Sequence, residues 1–194
     1  AAVEDVRLTE PTVGVSSVVT MGHAESILLE ASESADLLVV GARGRGSVAS
    51  ALLGSVSARV ARESACPVVV VRTSEAAEGD DRRTVVVGVD GTAVSSAAVE
   101  FAFRMASERR EPLTVLHATW DRREQAASLV DLRSFHEKVN LSETEERLVA
   151  ETVAGLCEKY PDVAVTETYR RGEPVRALVE ESRTASLVVV GTRG

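Results

Sequence analysis

Three glycines and a serine at fixed spacing are the residues of this chain best suited to bind an anion. A short apolar run at 37–40, typical of a buried strand, precedes them, and valines at helical spacing follow. A glycine-rich turn between a strand and a helix lets the backbone approach a phosphate, and the first N–H groups of the helix point at it. The spacing Gly-x2-Gly-x9-Gly-Ser therefore predicts a phosphate-binding loop. Its members are Gly41, Gly44, Gly54 and Ser55.

Two arginines lie among these glycines and can add positive charge to the loop. Arg43 and Arg45 each carry a guanidinium that can donate two parallel hydrogen bonds to phosphate oxygens. The alternative is an ordinary glycine-rich turn with no ligand. The restrictive spacing, the adjacent serine and the flanking strand and helix favour a binding site over that alternative.

The elements that must position this loop alternate along the chain. Alternating strands and helices with short connections predict an α/β fold with a parallel, doubly wound sheet that is covered on both faces. We expect strands near 16–19, 37–40, 68–71, 84–89, 113–118, 163–168 and 187–190, and helices near 24–34, 55–64, 95–108, 141–159 and 174–183.

An internal repeat divides the chain. When the sequence is shifted by 150 positions, Gly22–Gly44 aligns without a gap on Gly172–Gly194, and nearly half of the aligned pairs are identical. This self-similarity indicates two tandem copies of one domain. Residues 1–72 are then the C-terminal part of the first copy, 73–83 a polar linker, and 84–194 the N-terminal and central part of the second copy.

Each copy is therefore seen incompletely. The first copy lacks its early strands, and the second stops at the second glycine of the repeated motif. A fragment of this kind cannot bury its sheet, so we expect the natural protein to continue beyond both ends. A circular permutant is the competing interpretation, but a single permuted domain would contain the repeated segment only once.

The glycine motif, with the run Leu-Leu-Gly-Ser-Val at 52–56, resembles the nucleotide-binding signature of the universal stress protein family. The resemblance spans nearly the whole chain in tandem form. It implies a doubly wound parallel five-stranded sheet of strand order 3-2-1-4-5 in each copy, with the ligand crevice between strands 1 and 4. The implied ligand is an adenine nucleotide, ATP, with Mg²⁺ bridging its phosphates.

The resemblance also assigns roles to residues. In the first copy the glycines Gly41, Gly44 and Gly54, followed by Ser55 and Val56, would hold the phosphates together with Arg43 and Arg45. In the second copy Gly191 and Gly194 would open the equivalent motif.

The nucleoside contacts implied by the resemblance lie in the second copy. Asp90, at the end of the strand 84–89, would accept hydrogen bonds from sugar hydroxyls or the adenine amino group. An Asp followed by Gly is otherwise ordinary turn chemistry. Ala118 would contact adenine through its backbone, where the family more often has valine. His117 is expected to be a packed, hydrogen-bonded core residue.

Composition excludes several classes of partner. The net charge of −8 argues against binding to nucleic acid or to an anionic membrane surface. No apolar run approaches the roughly 18 residues that a spanning helix needs. Two cysteines without metal-type spacing indicate a reduced, cytoplasmic compartment.

The sequence favours binding over catalysis. It contains no Gly-x4-Gly-Lys-[Ser/Thr] loop, so no P-loop lysine can neutralise a transferred phosphate, and we assign no catalytic residue. Three functions remain: a regulatory ATP-binding module, a weak ATPase or phosphate-transferring enzyme assisted by Ser55, Ser57 or a loop arginine, and a nucleotide-free dimerisation scaffold. The resemblance further implies pairing through last strands, so Val68–Val71 would meet its counterpart in an intrachain pseudo-dimer or a homodimer.

Overall fold

The computed structural model of the chain describes residues 2–42, 53–72, 83–90, 95–119, 147, 150–151 and 153–192. They divide into two compact units, Ala1–Ser74 and Glu75–Gly194. Every strand pair that the described residues form is parallel. Within the described ranges, no helix is long and apolar enough to cross a membrane.

The first unit contains a two-stranded sheet with helices before and between its strands. The two strands pair in parallel, with Leu38 opposite Val68 and Gly41 opposite Val71. The elements are α1 (Ala2–Thr9), α2 (Ala24–Ser32), β1 (Leu38–Gly41), α3 (Ser55–Glu63) and β2 (Val68–Val71).

A buried serine connects α2 to the segment that leads into β2. The Ser32 hydroxyl donates to the carbonyl oxygen of Leu29 at 2.6 Å and accepts from the backbone N–H of Ala65 at 3.0 Å. Ser32 is 2% exposed, so both partners are needed to satisfy its hydroxyl. The contact fixes α2 and the C-terminal end of α3 in one arrangement.

The strand predicted near 16–19 is not formed. Residues 13–20 have no regular hydrogen-bonded structure, and Val18 and Val19 are 85% and 97% exposed. A strand needs a neighbour to accept its backbone hydrogen bonds, and the described part of the first unit offers this segment none. The matching segment of the second unit does pair with a neighbour and is a strand.

The second unit contains a four-stranded sheet. Its strands lie in the order β5-β4-β3-β6. The elements are β3 (Thr84–Val89), α4 (Ser96–Arg109), β4 (Leu113–Thr119), the helical residues 153–159 (here α5), β5 (Val165–Arg171), α6 (Pro174–Glu181) and β6 (Ala185–Val190).

This strand order matches the first four positions of the predicted order 3-2-1-4-5. In chain order β3, β4, β5 and β6 are strands 1, 2, 3 and 4, so the sheet reads 3-2-1-4. A fifth strand is not part of the sheet that the described residues form. The parallel α/β class is confirmed, and the five-stranded order stays a prediction.

Helices cover both faces of the four-stranded sheet. On one face Phe103 of α4 is fully buried against Val85, Val87 and Val115. On the other face Leu178 of α6 packs on a smaller cluster formed by Val86, Leu116 and Ala185. Because aromatic residues are scarce, the core of this unit consists mainly of valines from the strands, packed around Phe103.

An ion pair connects α4 and α5 at the surface. The Lys159 ammonium lies 2.6 Å from a carboxylate oxygen of Glu100. The hydrogen bond and the positive charge of Lys159 lower the pKa of Glu100, and the same contact raises the pKa of Lys159. Both side chains are more than half exposed, so solvent screens the pair and it contributes little to stability.

The two units repeat one backbone pattern at an offset of 150 residues. Helix α1 corresponds to the helical residues 153–159, and α2 corresponds to α6. Gly22 and Gly172 each precede such a helix and have positive φ values of 147° and 131°. Residues that carry a side chain rarely adopt this backbone conformation, so glycine is required at both positions.

We expect Gly172→Ala to lower the free energy of unfolding by about 1–3 kcal/mol, because alanine is strained at this φ. A Cβ atom at Gly172 would meet no atom within 4 Å, so the effect is one of backbone conformation alone. Gly155→Ala is the matched control, since Gly155 is helical, exposed and equally free of neighbours. It should stabilise by up to about 1 kcal/mol. Urea denaturation that shows equal effects for the two variants would contradict the prediction.

Candidate functional site

The two ends of the glycine motif meet in the first unit. β1 ends at Gly41, and the backbone N–H of Gly54 donates to the carbonyl oxygen of Ala42 at 2.9 Å. The Ala42 N–H in turn donates to Val71 at 2.8 Å, which continues the β1–β2 pairing. The start of α3 is therefore hydrogen-bonded directly to the end of β1.

Helix α3 begins at this junction without a side-chain cap. Gly54 is its N-cap residue, with φ −63° and ψ 154°, and no side-chain hydrogen bond caps the helix there. Ser55 is exposed and Val56 is half-buried. The N–H groups of these two residues have no acceptor within the described segments, and the helix dipole adds partial positive charge there. This junction can accept an anion.

The hydroxyl of Ser57 faces away from solvent. Ser57 is 3% exposed, and its hydroxyl donates to the carbonyl oxygen of Gly54 at 3.0 Å. The sequence offered Ser57 as one residue that assists hydrolysis. Its burial and its backbone bond indicate a structural role instead. The predicted phosphate-binding residues Arg43, Gly44 and Arg45 lie outside the described residues.

The positive charge of Arg59 in α3 is paired with two carboxylates. Arg59 lies 3.0 Å from Glu63, four residues along the same helix, and 3.9 Å from Glu25 in the first turn of α2. This guanidinium is therefore committed to carboxylates. The helix N-terminus itself supplies partial positive charge at the junction.

The second unit brings three predicted residues to one edge of its sheet. Val89 is opposite His117 in β3 and β4, and Gly88 is opposite Val190 in β3 and β6. Asp90, Ala118 and Gly191 therefore lie at the carboxyl ends of three adjacent strands. We call this the carboxyl edge.

The three residues differ in exposure at the carboxyl edge. Asp90 and Gly191 are exposed, and Ala118 is half-buried within β4. Gly194, the fourth residue predicted for this copy, lies outside the described residues. Asp90 also interacts with another group of the protein. A carboxylate next to a strand-end backbone is a suitable acceptor for sugar hydroxyls or an amino group.

A buried histidine next to the carboxyl edge departs from the sequence expectation. His117 is 4% exposed, as predicted for a core residue. Its ring packs against that of Tyr169, with centroids 6.0 Å apart. Its Nδ1 atom, however, has no hydrogen-bond partner among the residues that the structure describes. No pattern in the sequence signals this unsatisfied atom.

Metal-binding side chains are not clustered in the described segments. Within them no three or more His, Cys, Asp or Glu residues come together in a way that could hold a metal ion.

The family model of the universal stress protein family matches residues 1–72 and 81–194. The chain belongs to the universal stress protein family. The match includes the β1–α3 junction and the carboxyl edge, so both candidate regions are parts of universal stress protein sequence. The resemblance stated from the glycine motif is confirmed at the level of the family.

Known universal stress proteins resemble the chain over most of its length. One from Mycobacterium tuberculosis is 36% identical over 97% of this chain and 64% of its own length. One from Mycolicibacterium smegmatis is 39% identical over 86% of this chain and 55% of its own. The chain thus spans about two thirds or less of these relatives.

A solved universal stress protein from Archaeoglobus fulgidus shares the fold. Its TM-score is 0.53 at 20% identity, and the match covers 88% of this chain and 67% of that protein. The identity is too low to transfer a ligand, and the likeness supports the α/β fold alone.

Proposed function

We propose that the chain is part of a regulatory ATP-binding universal stress protein with two tandem copies of the nucleotide-binding domain. In this proposal the β1–α3 junction holds the phosphates in the first copy. The carboxyl edge holds the nucleoside in the second copy. ATP occupancy would bias the conformation or the self-association of the protein.

The observation that carries the proposal is the hydrogen bond from Gly54 to Ala42. It places both ends of the glycine motif at an uncapped helix N-terminus, which is the geometry that binds phosphate by backbone N–H groups. The φ of Gly54 is −63°, a value that any residue adopts, so backbone conformation does not explain the glycine. Glycine is a favoured helix N-cap, and at this position it also leaves space for a ligand that approaches the backbone.

The nucleoside contacts rest on separate support. Asp90 and the backbone of Ala118 lie on adjacent strands, at positions that follow the paired residues Val89 and His117. Ligands of open parallel sheets bind at the carboxyl ends of strands. The repeated backbone pattern of the two units supports two copies of one site.

Mg²⁺ is the proposed companion of ATP. Phosphate oxygens and a few protein oxygens form the usual environment of this ion, which retains several waters. Such a site needs no cluster of protein carboxylates, so the described residues are compatible with it. The ion would neutralise part of the phosphate charge.

Calorimetry of the purified protein with ATP and Mg²⁺ tests the proposal, together with native mass spectrometry of the protein as isolated. We expect saturable ATP binding in the calorimeter, and a mass in native mass spectrometry that exceeds the mass of the chain by one or two ATP molecules. Absence of binding at millimolar ATP would overturn the proposal and favour a nucleotide-free scaffold. ADP that accumulates at a steady rate would favour the weak ATPase instead.

A further inference from the structure

We propose that His117 is a ligand-binding residue whose Nδ1 atom forms a hydrogen bond with a hydroxyl or amino group of a nucleoside at the carboxyl edge. The inference rests on the proposed function, because it needs a nucleoside to bind there. It adds a side-chain contact from β4, where only the backbone of Ala118 was expected to take part.

The unsatisfied Nδ1 atom of His117 carries a free-energy cost. His117 is 4% exposed, and its Nδ1 is buried with no partner in the part of the chain that the structure describes. Buried polar side-chain atoms nearly always have partners, because an unmade hydrogen bond in the interior is unfavourable. A phenylalanine would keep the ring contact with Tyr169 without this cost. The imidazole is therefore suited to a partner that arrives from outside.

His117 lies one residue before the carboxyl edge in β4. His117 pairs in register with Val89, and the next residues along these two strands are Ala118 and Asp90. The imidazole thus belongs to the last paired layer of β3 and β4 before the carboxyl edge. Whichever tautomer is present, Nδ1 either donates or accepts, so it can bond to a hydroxyl or to an amino group.

The neighbours of His117 indicate the chemical class of the ligand. The residues paired with His117 on the neighbouring strands are Val89 and Tyr169. The apolar side chain of Val89 is 6% exposed, and the aromatic side chain of Tyr169 is 53% exposed. A ligand that reaches Nδ1 must combine a hydrogen-bonding group with a surface that tolerates such neighbours. A nucleoside has this combination, whereas an inorganic anion does not.

Two substitutions of His117 distinguish a role in ligand binding from a role in folding. His117→Phe keeps a ring against Tyr169 and removes both nitrogens, whereas His117→Asn keeps a polar atom near the position of Nδ1. We expect His117→Phe to weaken adenosine binding by about three- to tenfold, the equivalent of one neutral hydrogen bond. It should also raise the melting temperature of the free protein by a few degrees. His117→Asn should restore most of the adenosine affinity.

Adenosine is the probe because it lacks the phosphates that the first unit is proposed to hold. In the unsubstituted protein, the ¹⁵N resonance of Nδ1 should shift when adenosine is added. Equal adenosine affinity for the unsubstituted protein and His117→Phe would overturn the inference alone. No adenosine binding by the unsubstituted protein would overturn the proposed nucleoside site, and the inference with it. A lower melting temperature for His117→Phe with unchanged affinity would show a purely structural histidine.

Discussion

Gly54→Val should weaken ATP binding by about a hundredfold and leave the fold intact. The N–H groups at the start of α3 can donate charge-assisted hydrogen bonds to phosphate, each worth about 1.5–3 kcal/mol. A valine side chain at the N-cap would keep the phosphate from the backbone, and a loss of about 2.7 kcal/mol corresponds to a hundredfold in affinity. Calorimetric titration with ATP and Mg²⁺ measures the change.

Two variants control for effects on stability. Alanine and valine are equally poor N-cap residues, so Gly54→Ala and Gly54→Val should each lower the free energy of unfolding by up to about 1 kcal/mol. The two variants then differ only in the size of the side chain. Gly14→Val tests an exposed glycine of the same unit, where a Cβ atom would meet nothing within 4 Å. It should bind ATP like the unsubstituted protein. If Gly54→Val also binds ATP with unchanged affinity, the β1–α3 junction is not the phosphate site.

Phe103→Ala should destabilise the second unit by about 3–5 kcal/mol, the usual cost of truncating a fully buried phenylalanine. Phe103 has no exposed surface, lies at the centre of the α4 face of the sheet, and has its ring centroid 5.9 Å from that of Tyr160. The valines around it are too short to fill the cavity. Urea denaturation followed by far-ultraviolet circular dichroism measures the change.

Phe101 provides the matched control on the same helix. It is half-buried, and the guanidinium of Arg104 lies 5.1 Å above its ring. Phe101→Ala should cost about 1 kcal/mol, since a half-buried side chain gains only part of the full transfer free energy. Equal losses for the two alanine variants would mean that the core does not centre on Phe103.

Periodicity and apolar runs predicted most elements of the second unit, because its central strands β3 and β4 are buried on both faces. The runs at 84–89 and 113–118 are β3 and β4 within one residue. The strand near 16–19 was wrong because a local pattern reports strand preference but not the presence of a neighbour. Helix α1 was missed, although the 150-residue offset carries the predicted helix at 141–159 onto it.

The candidate site was predictable in part. Glycine spacing identified Gly41 and Gly54, but the hydrogen bond that joins their ends depends on how β1 and α3 pack. The family resemblance identified Asp90 and Ala118, and the strand register brings them to one edge. The unsatisfied Nδ1 of His117 depends on burial and on the absence of a neighbour in the described structure, neither of which sequence spacing encodes.

The central position of β3 has a consequence for the order of folding. β3 is the first strand of its unit to be synthesised, yet one of its neighbours is β6, so that Thr84 and Ser186 meet although 102 residues separate them. Contacts of such long range slow folding, because chain entropy is lost before the pairing compensates. During synthesis β3 therefore leaves the ribosome with one edge unpaired, and that edge stays open until residue 190 has emerged. The shorter β1–α3–β2 segment is complete before β3 is made.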